Sequence, residues 1–384
     1  MTFLVARMIQ SVGGGGIFVI ASSHVLSTYP KKAQGGLLGA LGAVNGIASV
    51  VGPNLGSLIL NLTGRWNWLF LINLQIAIFV IVAGWLVIPE TIGSHVKSLD
   101  LKGLTILSLG IFSIMLAITN LQSGHLLVSL LTPQVWGAGL VGIGLFVGFV
   151  LVEKRIAPRF DPFLPYHLLA NKGFLLTLLM GLLSGMLIAI FVFIPSFVEQ
   201  VYGISANNSG IWMSGIGLGS ILGAGIGGTL VSRLGATKTV IVSGGLSAAG
   251  WFLATSTLAG FGFGMLMGAQ LSVLMAQFAD QADNGIAFGT LSVSRQVGLT
   301  IAPTIYATII QSGFSRLSLS TPLEEYYRIL LAKAAGSHSD KLATFYQIAQ
   351  QAYQHLFVVA VVISLIILAG GWILIRRRGS KNIA

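Results

Sequence analysis

The sequence predicts an all-α integral membrane protein made of helical bundles with about eleven transmembrane helices. Three observations carry that expectation. First, 54% of the 384 residues are hydrophobic and only 8% are charged, whereas soluble domains carry about 25% charged residues. Second, the apolar residues come in blocks close to the roughly 20 that span a bilayer as a helix. Third, backbone polar groups in lipid must be satisfied internally, which leaves helices or closed barrels, and the alternating strands of about ten residues that a barrel needs are absent. There is no cysteine, which removes disulfides, thiolate metal sites and a cysteine nucleophile.

The predicted spans are 3–28, 36–60, 66–88, 103–122, 134–153, 173–198, 207–231, 238–257, 259–279, 285–311 and 354–376. Two of them nearly touch around Thr257 to Phe261. The first is no signal peptide, because Arg7 and Gln10 interrupt it and no cleavage site follows. A long loop, about 313–353, contains two helix-like pieces, "LEEYYRILLAK" and "LATFYQIAQQAYQ". The net charge of +11 is spread over short loops, which suits a membrane protein rather than a nucleic-acid binder. With the amino terminus outside, fourteen Lys and Arg fall on the inner side, among them Lys31, Lys32, Lys97, Arg233, Lys238 and Arg376. Five fall outside: Arg65, Arg316, Arg328, Lys333 and Lys341. The bias predicts a cytoplasmic carboxyl terminus.

Small residues mark two helices. Gly35/Gly39, Gly42/Gly46 and Gly52/Gly56 are each four apart, as are Gly215, Gly219, Gly223 and Gly227. That spacing lets a neighbouring backbone approach closely, and Pro53 adds a bend. The same pattern in two halves of a chain is what a rocking transporter needs, although plain close packing accounts for it equally.

The motifs taken together resemble a known family. "RMIQSVGGGG", Arg7 to Gly16, is similar to the arginine motif in the fourth helix of proton-linked drug exporters of the major facilitator superfamily. "NGIASVVGPNLG", Asn45 to Gly56, resembles the antiporter motif of their fifth helix, here carried by Gly46, Gly52, Pro53 and Gly56. "WNWLFLINL", Trp66 to Leu74, resembles the opening of the sixth. "GGTLVSRLGATK", Gly227 to Lys238, is similar to the cytoplasmic loop motif, with Gly228, Arg233, Gly235 and Lys238 as its members. "SRQVG", Ser294 to Gly298, resembles a feature of the fourteen-helix drug:proton antiporters (the EmrB/QacA type). Ser11, Ser57, Gln75 and Ser232 depart from the usual residues, Ser232 standing where an acid normally precedes the loop arginine.

The resemblance implies an arrangement. Residues 1–95 form three helices of an amino-terminal bundle, 96–172 two extra linking helices and a cytoplasmic loop, and 173–384 a carboxyl-terminal six-helix bundle. It implies that the chain starts at the equivalent of the fourth helix, lacks the first three, and does not perform coupled transport alone. It also implies proton-coupled efflux of hydrophobic or cationic small molecules across a bacterial inner membrane, with a membrane-fusion protein as a further partner. Arg7, Gln10, Arg295 and Gln296 are the implied coupling residues.

Physical chemistry leaves a second reading for each. Arg7 helps couple proton movement, or snorkels to the interface. Arg295 with Gln296 lines a cavity, or is satisfied by carbonyls near a helix end. Gln270 and Gln277, seven apart, suit helix–helix hydrogen bonds, and Asn45 and Asn73 are read with the same caution. His24 suits an interfacial position better than a proton relay. Phe191, Phe193 and Phe197 face a cavity or face lipid. Trp66, Trp68, Trp212 and Trp372 sit near helix ends as anchors.

All ten acidic residues fall in loops or at helix ends. No nucleotide loop, H-E-x-x-H or G-x-S-x-G site is present, so neither an ATP-driven pump nor an intramembrane enzyme is expected. No cofactor, metal or nucleic acid is expected either. A passive pore and a non-transporting remnant of a transporter remain as other readings. The topology is checked by cysteine labelling from outside intact cells: a cysteine at Ser123 labels and one at Ala157 does not, and the reverse result rejects it.

Overall fold

The computed structural model describes residues 2–65, 67–87, 101–121, 126–156, 164–203, 206–253, 256–280, 283–315 and 340–381. Among these every regular element is helical. The order is α1 (Thr2–Thr28), α2 (Lys31–Thr63), α3 (Asn67–Val87), α4 (Leu101–Thr119), α5 (Leu126–Leu130), α6 (Pro133–Ile156), α7 (Tyr166–Ala170) and α8 (Lys172–Ile190). Then follow α9 (Ile194–Tyr202), α10 (Ala206–Leu234), α11 (Ala236–Phe252), α12 (Ser256–Met265), α13 (Leu271–Ala276), α14 (Asn284–Ser315) and a last helix, α15 (Asp340–Lys381).

Among the described residues nine segments are long and apolar enough to cross a membrane, fewer than the eleven expected. The two further expected spans lie in α2 and α11, which are both helical. At 17 residues, α11 is about a turn shorter than a spanning helix needs. The division expected near Thr257 falls slightly earlier, between Phe252 and Ser256. One expectation is corrected: "LATFYQIAQQAYQ" is not a separate loop piece but the opening of the 42-residue α15. The other piece, "LEEYYRILLAK", lies outside the described residues.

Local chemistry accounts for the breaks. Asn171 caps α8, its side-chain oxygen accepting from Gly173 N at 2.9 Å and Phe174 N at 3.4 Å. The span that opens with α8 passes through a 3₁₀ turn, Phe191–Phe193, before α9. Pro195, in the first turn of α9, has no N–H to continue the α-helical ladder. Gly203 ends α9 at φ 66°, and Gly235 joins α10 to α11 at φ 83°, a conformation that costs side-chain-bearing residues strain. A π-helical turn, Leu266–Gln270, separates α12 from α13, and inside it Gly268 leaves helical geometry at φ −73°, ψ −138°.

Glycines set which helices meet. A Cβ at Gly39 would lie 2.9 Å from both the Ala224 oxygen and the Gly228 Cα. One at Gly42 would lie 2.8 Å from the Gly268 Cα. Without these side chains α2 packs backbone to backbone on α10 and on the π turn. The other expected half of the glycine face does not pack this way. Among the described residues nothing lies within 4 Å of a Cβ at Gly52, and only Leu69 lies near one at Gly56. Gly13, Gly14 and Gly15 are equally open. On α10 the glycine row serves a different neighbour: Gly219 and Gly223 meet the Thr257 and Phe261 carbonyls of α12.

The buried core comes mostly from α8 to α15, with Phe174, Leu187, Met275, Tyr306 and Tyr353 among its fully buried members. By contrast α3 has no buried residue; its apolar side chains, such as Phe79 and Trp85, are exposed and suit contact with lipid tails. Helices α4 and α6 pack on each other, a Cβ at Gly142 lying 2.6 Å from the Ile114 side chain.

The seam between α2 and α10 is testable. Gly39→Val places branched carbons where backbone now sits, an overpacking that costs about 1–3 kcal/mol. Thermal unfolding in detergent shows a clear fall in Tm for Gly39→Val. Gly36→Ala, with nothing within 4 Å, leaves it unchanged or slightly raised.

Candidate functional site

A cavity of about 290 Å³ lies between the first two helices and the later ones. Phe18 of α1 and Gly42 of α2 wall one side. Ile188 of α8, Phe191 of the 3₁₀ turn, Phe263 of α12 and Met267 of the π turn supply most of the apolar lining opposite. Ser220 of α10 and Ser292 and Arg295 of α14 supply the polar groups.

Arg295 is the chemically distinctive member. An arginine well inside a spanning helix costs about 2.5–3.5 kcal/mol on insertion scales, so a cavity or a partner is needed. Its Nε donates to Ser184 Oγ at 3.3 Å, while its Nη2 has no hydrogen-bond partner among the described residues. The pairing is possible because α8 runs against α14 with no side chain between them at Gly185, which faces the Arg295 carbonyl. Ser294, one residue earlier, donates to the Leu178 carbonyl oxygen at 2.8 Å and ties the same two helices together. Of the pair that the sequence offered as cavity-lining, Arg295 lies in the cavity wall. Gln296, on the next residue of α14, is exposed and does not line this cavity.

The other arginine in a predicted span is placed differently. Arg7 Nη1 donates to Gln10 Oε1 at 2.8 Å, and the Arg7 guanidinium lies 4.9 Å from the Phe70 ring centre on α3, within cation–π range. Arg7 and Gln10 are both exposed. They lie at least two turns of α1 before Phe18, over roughly 12–16 Å of helix. The structure therefore brings Arg7 and Gln10 together, but not to Arg295.

The three phenylalanines that sequence could not place divide in the same way. Phe191 lines the cavity and meets Phe263 edge-on at 4.8 Å. Phe193 packs on Tyr306 at 6.0 Å, and Phe197 on Phe357 at 5.0 Å. Gln270 behaves as a helix–helix contact: it is fully buried, and its Oε1 accepts from Ser243 of α11 at 2.8 Å. Exposed His24 meets Thr28 at 3.4 Å and the Tyr29 ring edge-on, an interfacial setting. At the far end of α15, Trp372 stacks under Arg376 at 3.6 Å, as an interface anchor does.

The loop motif closes one end. Ser232 Oγ donates to the Lys32 carbonyl oxygen at 3.3 Å, joining two basic connections that the charge bias expects on the same side. Arg233 and Lys238 are exposed, and Gly235 supplies the turn. A second cavity of about 590 Å³ lies here, lined by Lys32, Gly35, Ser232 and Gln277 among others. Between it and the Arg295 cavity runs the seam of Gly39, Ala224 and Gly228. In the antiporter motif, Gly46 and Pro53 lie within the continuous α2.

Sequence reasoning missed several members of this site. Phe18, Ser220, Phe263, Met267 and Ser292 are ordinary span residues until the helices are packed. The π turn had a faint signal in the small-residue run Gly260, Gly262, Gly264 and Gly268. His167, Asp280 and Asp283 also meet, with ligand-type atoms within 4.8 Å of one another. That cluster is mostly exposed and stands apart from the cavity.

The sequence is similar to those of known proteins. The family model of the Major Facilitator Superfamily matches residues 1–303. The uncharacterized MFS-type transporter YfiU of Bacillus subtilis (strain 168) is 43% identical over 407 residues, covering 96% of this chain and 78% of that protein. Multidrug resistance protein 3 of the same organism is 28% identical, covering 81% of this chain and 62% of that protein. Its multidrug transporter protein MdtP is 27% identical, covering 87% and 63% respectively. The chain thus spans less than two thirds of the length of these last two relatives. With a matching family model over most of its residues and a relative at 43% identity, the chain belongs to the Major Facilitator Superfamily.

Proposed function

We propose that this transporter exports small molecules in exchange for protons by alternating access. One observation carries the reading: a cavity into which Arg295 brings a guanidinium nitrogen with no hydrogen-bond partner among the described residues lies between α1–α2 and the later helices, closed off on one side by a glycine seam. Alternating access rocks one set of helices against another around such a site. A seam held by backbone contact rather than interlocking side chains can part and re-form without repacking.

The multidrug names of two relatives support efflux of hydrophobic or cationic compounds, and the aromatic lining supports the hydrophobic part. The packed pair α4 and α6 supports the fourteen-helix drug:proton antiporter type, with residues 1–95, 96–172 and 173–384 as its three parts. The arginine motif supports coupling roles for Arg7 and Gln10, and the position of Arg295 supports one for it beside Gln296. Gly46, Gly52, Pro53 and Gly56 act as the antiporter motif, and Gly228, Arg233, Gly235 and Lys238 as the loop motif. The basic connections support a cytoplasmic carboxyl terminus and the Bacillus relatives a bacterial inner-membrane location, while a membrane-fusion partner is proposed on the family resemblance alone.

Dye accumulation in cells expressing the protein tests the mechanism, and with it the opposing sequence expectation that this chain does not perform coupled transport alone. Expression lowers accumulation of at least one dye in a hydrophobic panel, a protonophore restores it, and Arg295→Met removes the effect. Export that persists when the proton gradient is collapsed rejects proton coupling.

A further inference from the structure

The charge of the cavity narrows what it can hold. Its described lining contains one cation, Arg295, and no carboxylate. Among the described acidic residues, Glu153, Glu199, Asp280, Asp283 and Asp340 all lie elsewhere, at or near helix ends. One edge of the guanidinium is engaged, by Ser184, and Nη2 has no partner among the described residues. A donor in such a place is satisfied only by an acceptor that arrives with a ligand or with water. A cationic guest would instead meet like charge in an apolar, weakly screened setting.

The remaining walls set the rest of the guest. Phe18, Phe191, Phe263 and Met267 present apolar and aromatic surface. Ser220 already donates to the Gly260 carbonyl oxygen at 3.1 Å, so its hydroxyl offers the cavity a lone pair rather than a second proton. The volume of about 290 Å³ is at the small end for ligand sites and suits a molecule of one or two rings.

We propose that the cavity takes a small lipophilic molecule bearing an anionic or strongly accepting group, such as a carboxylate, phenolate or sulfonate, held by Arg295, and that it discriminates against permanent cations. This rests on the cavity being the substrate site, and it departs from the cationic half of the class suggested by family resemblance. Arg295 supplies the charge-assisted hydrogen bond and the aromatic wall the apolar contact. Ser184 is a positioning residue that fixes the plane of the guanidinium.

The test is equilibrium binding to the purified full chain in non-ionic detergent, with three probes of one shape. They are 2-naphthoate, 2-naphthamide and (2-naphthylmethyl)trimethylammonium. The expected order is anion, then amide, then cation, with the anion about tenfold or more tighter than the cation. Arg295→Lys keeps that order with a smaller ratio. Arg295→Met brings anion and cation within about twofold. Ser292→Leu, which fills the cavity and leaves the charge, weakens all three probes alike. Size-exclusion profiles and Tm report whether each variant folds, and the wild-type and Arg295→Lys ratios decide the matter if Arg295→Met does not. Equal or tighter binding of the cation by the wild type overturns the proposal while leaving the cavity as a binding site. A preference for the anion that survives Arg295→Met also overturns it, because another cation is then responsible. No binding of any probe overturns both the proposal and the assignment of the cavity as the substrate site.

Discussion

The rest of the structure depends on the approach of α2 to α10. Lipid tails are as apolar as leucine, so helices in a bilayer gain little from hiding apolar surface against one another. They associate where their backbones can come close. Gly35, Gly39 and Gly42 on one side and Ala224 and Gly228 on the other permit that approach, and Gly268 extends it onto the π turn. The seam draws the first two helices onto the later ones. The cavity lies beside it, with Gly42 in its wall, and α2 meets α10 again beyond it, where Asn54 Nδ2 donates to Ser214 Oγ at 3.3 Å. A larger residue at Gly39 would therefore alter the contact and the cavity together.

The broken helix beside the seam has a related cause. A π turn adds a residue to the helical repeat and disturbs the i to i−4 ladder, and such turns concentrate at functional sites. In lipid the released polar groups need protein partners. Here the turn is buried throughout, and Gln270 at its end reaches Ser243 on α11. Its Nε2 has no partner among the described residues, so the turn is held by less than a full set of hydrogen bonds. Met267, in the same turn, forms part of the cavity wall.

The two arginines show how position changes a residue's meaning. Arg7 and Arg295 each sit in an apolar run and each has a glutamine nearby in sequence. Arg7 is exposed, with Gln10 three residues on and Phe70 beneath it. Both contacts let a cation remain near an interface. Arg295 faces inward, and its own neighbour Gln296 points elsewhere. A residue's partner on the same helix follows from 3.6-residue geometry. A partner on another helix follows only from which helices meet.

That distinction separates what the sequence by itself determined from what the tertiary structure decided. Composition and block length determined a helical membrane protein, because lipid forces each span to satisfy its own backbone. Ordered motifs determined the superfamily, and the glycine spacing marked α2 and α10 as helices of close approach. The sequence did not show which glycines touch: Gly39 and Gly52 read alike, yet one meets backbone and the other meets nothing described within 4 Å. Nor did it show that Phe191 would face the cavity while Phe197 joined the core, since periodicity assigns residues to faces without saying what each face meets. The cavity draws on α1, α2, α8, α10, α12 and α14, whose residues run from Phe18 to Arg295. Only packing brings residues that far apart in the chain around one space, and only then does Arg295 come to face a cavity.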